Sequence, residues 1–400
     1  MRIFTGKSVI SAAVTAALAA AALPALADAA PPQTALSQLA ADKTIGRAEV
    51  VATFSGASAM PTGVTVSRSG RIFVNFPQWG DEVPFAVGEV KNGKVTAWPN
   101  QEINRPDSDQ PAKHFLSVQS VVADDQGRIW VLDTAAPKFS TPQPGGAKLV
   151  AIDEQSGQVV KSVVFPPTVI LPTTYVNDMR FDFRVGKEGV AYITDSSLSG
   201  PGGIIVVDLA SGQATRRLSG DRSTSAEPGF TPVVEGESLL QRRPDGSTAP
   251  FSVASDGIAL SPDGKTLYYC PLSSRQLYAI DTALLRDPNV SEAQLAKAVR
   301  HLGEKGASDG LESDANGTVY AGDYERNAIR QMTPDGVWST LVHGPHILWP
   351  DTLSVGPDGW LYFTVNQLHR QAGFHGGKDQ RQKPYALMRV RIDAAPAPMR

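Results

Sequence analysis

The sequence predicts an all-β fold, a six-bladed β-propeller closed into one domain. A short phrase recurs along the chain: a small or polar start, a brief apolar run, a glycine turn and a second apolar run. Its fullest copy is Ser255-Asp256-Gly257-Ile258, then Pro262-Asp263-Gly264, then Thr266-Leu267-Tyr268-Tyr269. Asp-Gly between two β-rich runs is a strong hairpin signal, because glycine supplies the positive φ of a tight turn. Six copies place equivalent positions at Thr62, Ser120, Asp178, Asp256, Asp309 and Asp351, with spacings of 58, 58, 78, 53 and 42 residues. Repeats of this length with several strands each are the mark of a propeller whose blades carry insertions.

The elements follow in order. Residues 1–27 read as an export signal: Arg2 and Lys7 precede an apolar run, and Ala25-Leu26-Ala27 offers a cleavage site before Asp28. Residues 28–45, rich in Ala, Pro, Gln and Thr, read as a flexible lead, and 46–400 as the propeller. The run 48–54 is the first strand. Its expected partner is Tyr385–Ile392, so that a terminal strand completes the last blade. Outer hairpins are expected at 147–163, around Gln155-Ser156-Gly157, and at 203–216, around Ala210-Ser211-Gly212. Residues 217–250 read as a long polar loop over one face. Residues 291–301 read as a short helix, with Ser291 and Gln294 forming a capping box. A third polar stretch, 366–384, reads as a solvated surface loop, with folding over the channel mouth as the alternative.

Composition narrows the function. The net charge is −3 and no basic stripe or nucleic-acid motif is present. No apolar run beyond the leader is long enough to span a bilayer. The single cysteine, Cys270, excludes an internal disulfide and reads as a small core residue at a strand end. No nucleophile elbow, phosphate loop, CxxC pair or HExxH occurs.

Chemistry concentrates at the repeat positions. If the first strand of each blade starts at the channel mouth, Asp178, Asp256, Asp309 and Asp351 face one opening, with Asn177 beside them. Four carboxylates in one cavity require a cation, protons or basic groups to offset their repulsion. One divalent cation is the simplest compensation, with Asp256 and Asp309 as its ligands, and Ca²⁺ suits carboxylates plus an amide. The alternative is that each aspartate caps its own turn. Pro345 separates His343 from His346, which rules out a helical histidine pair and sets His346 near Asp351 at the mouth. His369 follows the last inner hairpin. Asn177, Asp178, Asp351 and His346 are the expected ligand-binding residues; no catalytic residue is assigned.

Several of these runs match a known pattern. Arg68-Ser69-Gly70-Arg71-Ile72-Phe73-Val74-Asn75-Phe76-Pro77 resembles the opening signature of the yellow / major royal jelly protein family. Arg128–Thr134, Ala259–Pro262, Leu267–Tyr269, Pro271–Ser274, Leu348–Leu353 and Asn366-Gln367-Leu368 complete the resemblance, which spans about 48–392. It implies a six-bladed propeller, secretion and a small-molecule pocket at the channel mouth. Insect members include melanin-pathway proteins with proposed dopachrome-converting activity, binders of biogenic amines and nutritive proteins. This chain lacks the cysteines of insect members, and its export signal has a bacterial look. A second, weaker likeness is to the gluconolactonase / senescence-marker propellers, which hold one divalent metal through a Glu, an Asn and an Asp. By position, Asp256 replaces that Asn, Asp309 matches that Asp and Asn177 matches a further pocket residue. The first-blade Glu has no counterpart, its place falling near Thr62.

Three functions follow: a yellow-type propeller that binds or transforms a small molecule outside the cytoplasm; a divalent-metal-dependent lactonase; and a protein-interaction propeller. The expected partner is a small-molecule ligand or substrate, not nucleic acid, and the oligomeric state is left open.

Overall fold

The computed structural model describes residues 45–54 and 60–400; the leader 1–27 and all but the last residue of the 28–45 lead lie outside the described residues. Six four-stranded antiparallel sheets form the blades. Their inner strands are Val64–Val66, Val118–Ala123, Val176–Asp182, Ser255–Leu260, Ser308–Ser313 and Pro350–Val355. Each inner strand neighbours the next, and the sixth returns to the first, so the ring closes around a central channel. Closure follows the expected route. Ala48–Phe54 pairs antiparallel with Tyr385–Arg391 and becomes the outermost strand of the sixth blade.

Apolar faces fill the gaps between blades. Trp130 of the second blade meets Phe181 of the third at 4.8 Å between ring centroids. One repeated bond fixes the turn between the first two strands. The turn aspartate accepts from an aromatic on the second strand: Asp124 from the Trp130 indole at 2.8 Å, Asp314 from Tyr320 at 2.7 Å and Asp358 from Tyr362 at 2.7 Å. The turn glycines Gly264, Gly317 and Gly359 have φ of 72°, 86° and 79°, the left-handed values expected of them.

The glycine directly after the aspartate does something else. A Cβ on Gly257 would lie 2.5 Å from the Asp309 carbonyl oxygen, and one on Gly310 would lie 2.3 Å from that of Asp351. These glycines let adjacent inner strands approach. A bulge accompanies them, with register shifts between Ser255 and Ile258, Ser308 and Leu311, and Pro350 and Leu353. Bulges re-aim side chains, and here they fall on the aspartates.

The outer hairpins form as Lys148–Asp153 with Val159–Val164, and as Gly203–Asp208 with Ala214–Arg217. The short helix is Glu292–Ala298, closed by the Ser291/Gln294 capping box. It stops before 301 because Arg300–Glu304 is the outer strand of its blade. The polar insertion after 217 is more ordered than a loop. It holds the hairpins Val233–Val234/Glu237–Ser238 and Leu240–Arg242/Thr248–Pro250. The stretch 366–384 is not a solvated loop: Leu368 and Phe374 are buried, and Gly376 N–H donates to the Arg242 carbonyl at 3.2 Å. At the other end of the channel the tail crosses the ring. Ala315 donates to the Ala395 carbonyl at 2.9 Å and Phe183 to the Met399 carbonyl at 2.7 Å. Pro396–Met399 and the far ends of the inner strands leave only a cavity of about 70 Å³ there.

Candidate functional site

The mouth holds a cavity of about 420 Å³. Its aromatic wall comes from loops of different blades. Trp79 stacks on Phe139 at 5.1 Å, and Phe139 meets Tyr175 at 4.9 Å. The Trp79 indole donates to the Tyr175 hydroxyl at 2.6 Å, which donates to Gln119 Oε1 at 3.0 Å. Phe139 is 42% exposed and has a left-handed φ of 57°. Across the cavity Phe251 meets Phe374 edge-on at 5.0 Å.

The floor is acidic. Asp256 and Asp309 line the cavity with Asn177, and the two carboxyls hydrogen-bond to each other. Burial, then the charge of Asp309, pushes Asp256 well above the usual carboxylate range. Burial also pushes Asp309 up, to about 6. The pair therefore shares a proton, and Asp309 Oδ2 also accepts the Trp349 indole N–H at 2.6 Å. Trp349 is fully buried and stacks on Tyr324 at 4.1 Å. Asp351 is likewise raised, first by burial and then by Asp309, and accepts from Asn366 at 2.7 Å.

Asp178 is balanced differently. Arg180 Nη1 donates to both its oxygens at 3.1 Å, and Ser120 donates to it at 2.8 Å. The same guanidinium reaches across the channel to the Leu311 carbonyl at 2.6 Å, with Glu312 at 3.5 Å. Asp178 and Arg180 lie two apart on one strand, so they share the channel face.

The repeat positions thus meet at one end, and of the expected compensations the structure shows a basic group and raised, proton-holding carboxyls. The aspartates are not separate turn caps; one guanidinium and shared protons offset their charge. Trp349 holds one Asp309 oxygen, and no group of three or more His, Cys, Asp or Glu side chains suited to a metal occurs among the described residues. Of the expected ligand-binding residues, Asn177 lines the mouth cavity, while Asp178 and Asp351 sit buried in the channel beside it. His346 is exposed in the turn Gly344–Ile347 and does not line the cavity. His369 is the histidine that comes inward. It stacks on Trp349 at 5.9 Å and bonds Glu235 at 2.7 Å.

The raised acids set a pH dependence. A carboxyl whose folded pKa exceeds its unfolded value of about 3.9 binds more protons when folded, so its stabilising contribution is present at low pH and lost as pH rises through the folded pKa. For Asp309 that window runs from about 4 to about 6. Asp309→Asn keeps an acceptor for Trp349 and removes one charge, so its melting temperature should fall less than wild type between pH 4 and 7. Parallel melting curves for the two proteins across that range would refute the charge assignment.

A six-bladed propeller with a capped, aromatic-walled mouth and an acidic floor defines the class. The chain belongs to the major royal jelly protein family, whose family model matches residues 116–391. Protein yellow of Drosophila erecta is 26% identical over 255 residues, covering 59% of this chain and 43% of the relative. Major royal jelly protein 7 of Apis mellifera is 30% identical over 173 residues, covering 42% and 35%. The chain therefore aligns with less than half the length of these relatives. Among solved structures, a gluconolactonase from Xanthomonas campestris has a TM-score of 0.51 at 12% identity, covering 87% of this chain and 89% of that one. The calcium-binding protein regucalcin of Agrobacterium tumefaciens has 0.51 at 15%, covering 88% and 98%. At these identities the likeness is one of fold. Among the described residues no helix is long and apolar enough to cross a membrane.

Proposed function

We propose that the mouth cavity binds a small aromatic molecule bearing a positively charged amine, and that the protein acts outside the cytoplasm, as the 1–27 segment suggests. The observation that carries this reading is an acid pair on the floor of a cavity walled by Trp79, Phe139, Tyr175, Phe251 and Phe374. A protonated amine is attracted to the aromatic faces and to the negative charge the pair retains. A buried ammonium would replace the proton that Asp256 and Asp309 share. Binding should therefore tighten as pH rises through about 6, where Asp309 releases its proton.

Tryptamine and its neutral counterpart 3-ethylindole test the reading by calorimetry. Tryptamine should bind and 3-ethylindole should bind at least tenfold more weakly, with the difference lost in Asp256→Asn/Asp309→Asn. Equal binding of the two probes, or no binding of either, would overturn it. The likeness of fold to a gluconolactonase keeps a second reading in view, metal-dependent lactone hydrolysis. That reading requires a cation to displace the shared proton, and a rise in melting temperature on adding Ca²⁺, reversed by chelator, would favour it.

A further inference from the structure

The cavity has a second pole. Arg242 and Arg243 line it from the insertion hairpin, opposite in charge to the Asp256–Asp309 floor. Neither forms an ion pair among the described residues. Arg242 donates to the Ser238 carbonyl at 3.3 Å, and Arg243 Nη1 donates to Ser247 Oγ at 3.2 Å. Asp245, in the same turn, lies within electrostatic reach of Arg243, but its carboxylate accepts from Ser247 N–H at 2.9 Å. Other arginines at this end are spent. Arg370 grips Glu235 with two N–H groups at 2.8 and 2.6 Å. Arg381 grips Asp81 in the same way, with both bonds at 2.8 Å. Arg275 holds Glu325 with both bonds at 2.6 Å.

Two guanidinium forks are thus left for a partner that is not part of the protein. A guanidinium fork matches a carboxylate in shape and charge. Its position is held, since the Arg242 carbonyl accepts from Gly376 N–H at 3.2 Å and couples the hairpin to the segment that carries Phe374.

We propose that the ligand is an aromatic α-amino acid, its ring between the aromatic walls, its ammonium on the acid pair and its carboxylate on Arg242 and Arg243. This rests on the amine-binding reading above and adds the negative end. A simple amine leaves the arginines unmatched and is repelled by them, whereas a simple acid leaves the floor unmatched. A zwitterion satisfies both poles, and a cavity of about 420 Å³ has room for an amino acid with a bicyclic ring.

Tryptophan, tryptamine and indole-3-propionate, titrated by calorimetry at pH 7.5, carry both charges, the ammonium alone and the carboxylate alone. Tryptophan should bind about tenfold more tightly than tryptamine, the scale of one charge-assisted hydrogen bond at a partly wet rim. Arg242→Gln/Arg243→Gln should bring tryptophan down to the level of tryptamine while leaving tryptamine equal or tighter; because tryptamine still binds, that variant reports its own folding. If wild-type protein binds tryptamine as tightly as tryptophan, or the double variant keeps the preference, the carboxylate assignment fails and the amine reading stands. If indole-3-propionate outbinds both amines, or neither amine binds, both readings fail.

Discussion

Replacing Arg180 by Met is expected to destabilise the propeller by on the order of 3–5 kcal/mol, the usual cost of stripping one partner from a buried ion pair. The guanidinium is buried, holds both oxygens of Asp178 and donates across the channel to the Leu311 carbonyl. Without it Asp178 is a buried charge beside three raised carboxyls. Asp178→Asn in the same chain should recover much of the loss, because the orphaned charge goes with it. Urea unfolding of the two single variants and the double variant closes the cycle. A coupling near zero would mean that Asp178 is balanced by its other donors, Ser120 and the Met179 amide.

The second large effect is expected at Trp349. Its ring is fully buried, stacks on Tyr324 and His369, and carries the N–H that holds Asp309. Trp349→Ala should cost about 3–5 kcal/mol from the lost packing and the cavity left behind. Trp349→Phe separates the two roles. It keeps most of the ring and removes the donor, so it should cost about 1–3 kcal/mol, the penalty of an unmade bond at a buried acceptor. It should also raise the pH above which tryptamine binding is strong, since Asp309 holds its proton more tightly without that donor. If Phe matches wild type in both stability and pH profile, the indole is packing alone. The residue has a left-handed φ of 57°, a conformation a bulky side chain occupies only when its surroundings impose it.

The blades were legible because their signals are local. Gly264, Gly317 and Gly359 mark turns, apolar pairs mark strands, and the six-fold recurrence of the same phrase requires a ring. The convergence of Asp178, Asp256, Asp309 and Asp351 followed from that register. What offsets their charge did not, because the residues give formal charges and not protonation states. Arg180 was within reach, since an arginine two places after an aspartate in an inner strand must share its face. The aromatic wall had no such signal. Trp79, Phe139, Phe251 and Phe374 come from separate loops, and only the assembled ring makes them neighbours. His346 shows the converse: proximity to Asp351 in sequence counts for little when a turn carries the side chain to the surface. The glycines after Asp256 and Asp309 read as turn residues, yet their work is to let two strands approach.

The way the ring is fastened bears on how the protein is made. Five blades are built from contiguous stretches and can pair their strands as each stretch leaves the ribosome. The sixth cannot. Its outer strand, Ala48–Phe54, is made long before its partner, Tyr385–Arg391; the Glu49–Arg389 contact joins residues 340 positions apart. Loop-closure entropy grows only as the logarithm of such a distance, about 0.6 kcal/mol per doubling, so the finished ring carries little thermodynamic burden. The burden is one of timing. Until Tyr385–Arg391 emerges, the early strand waits with an unpaired edge, exposed to mispairing with other chains.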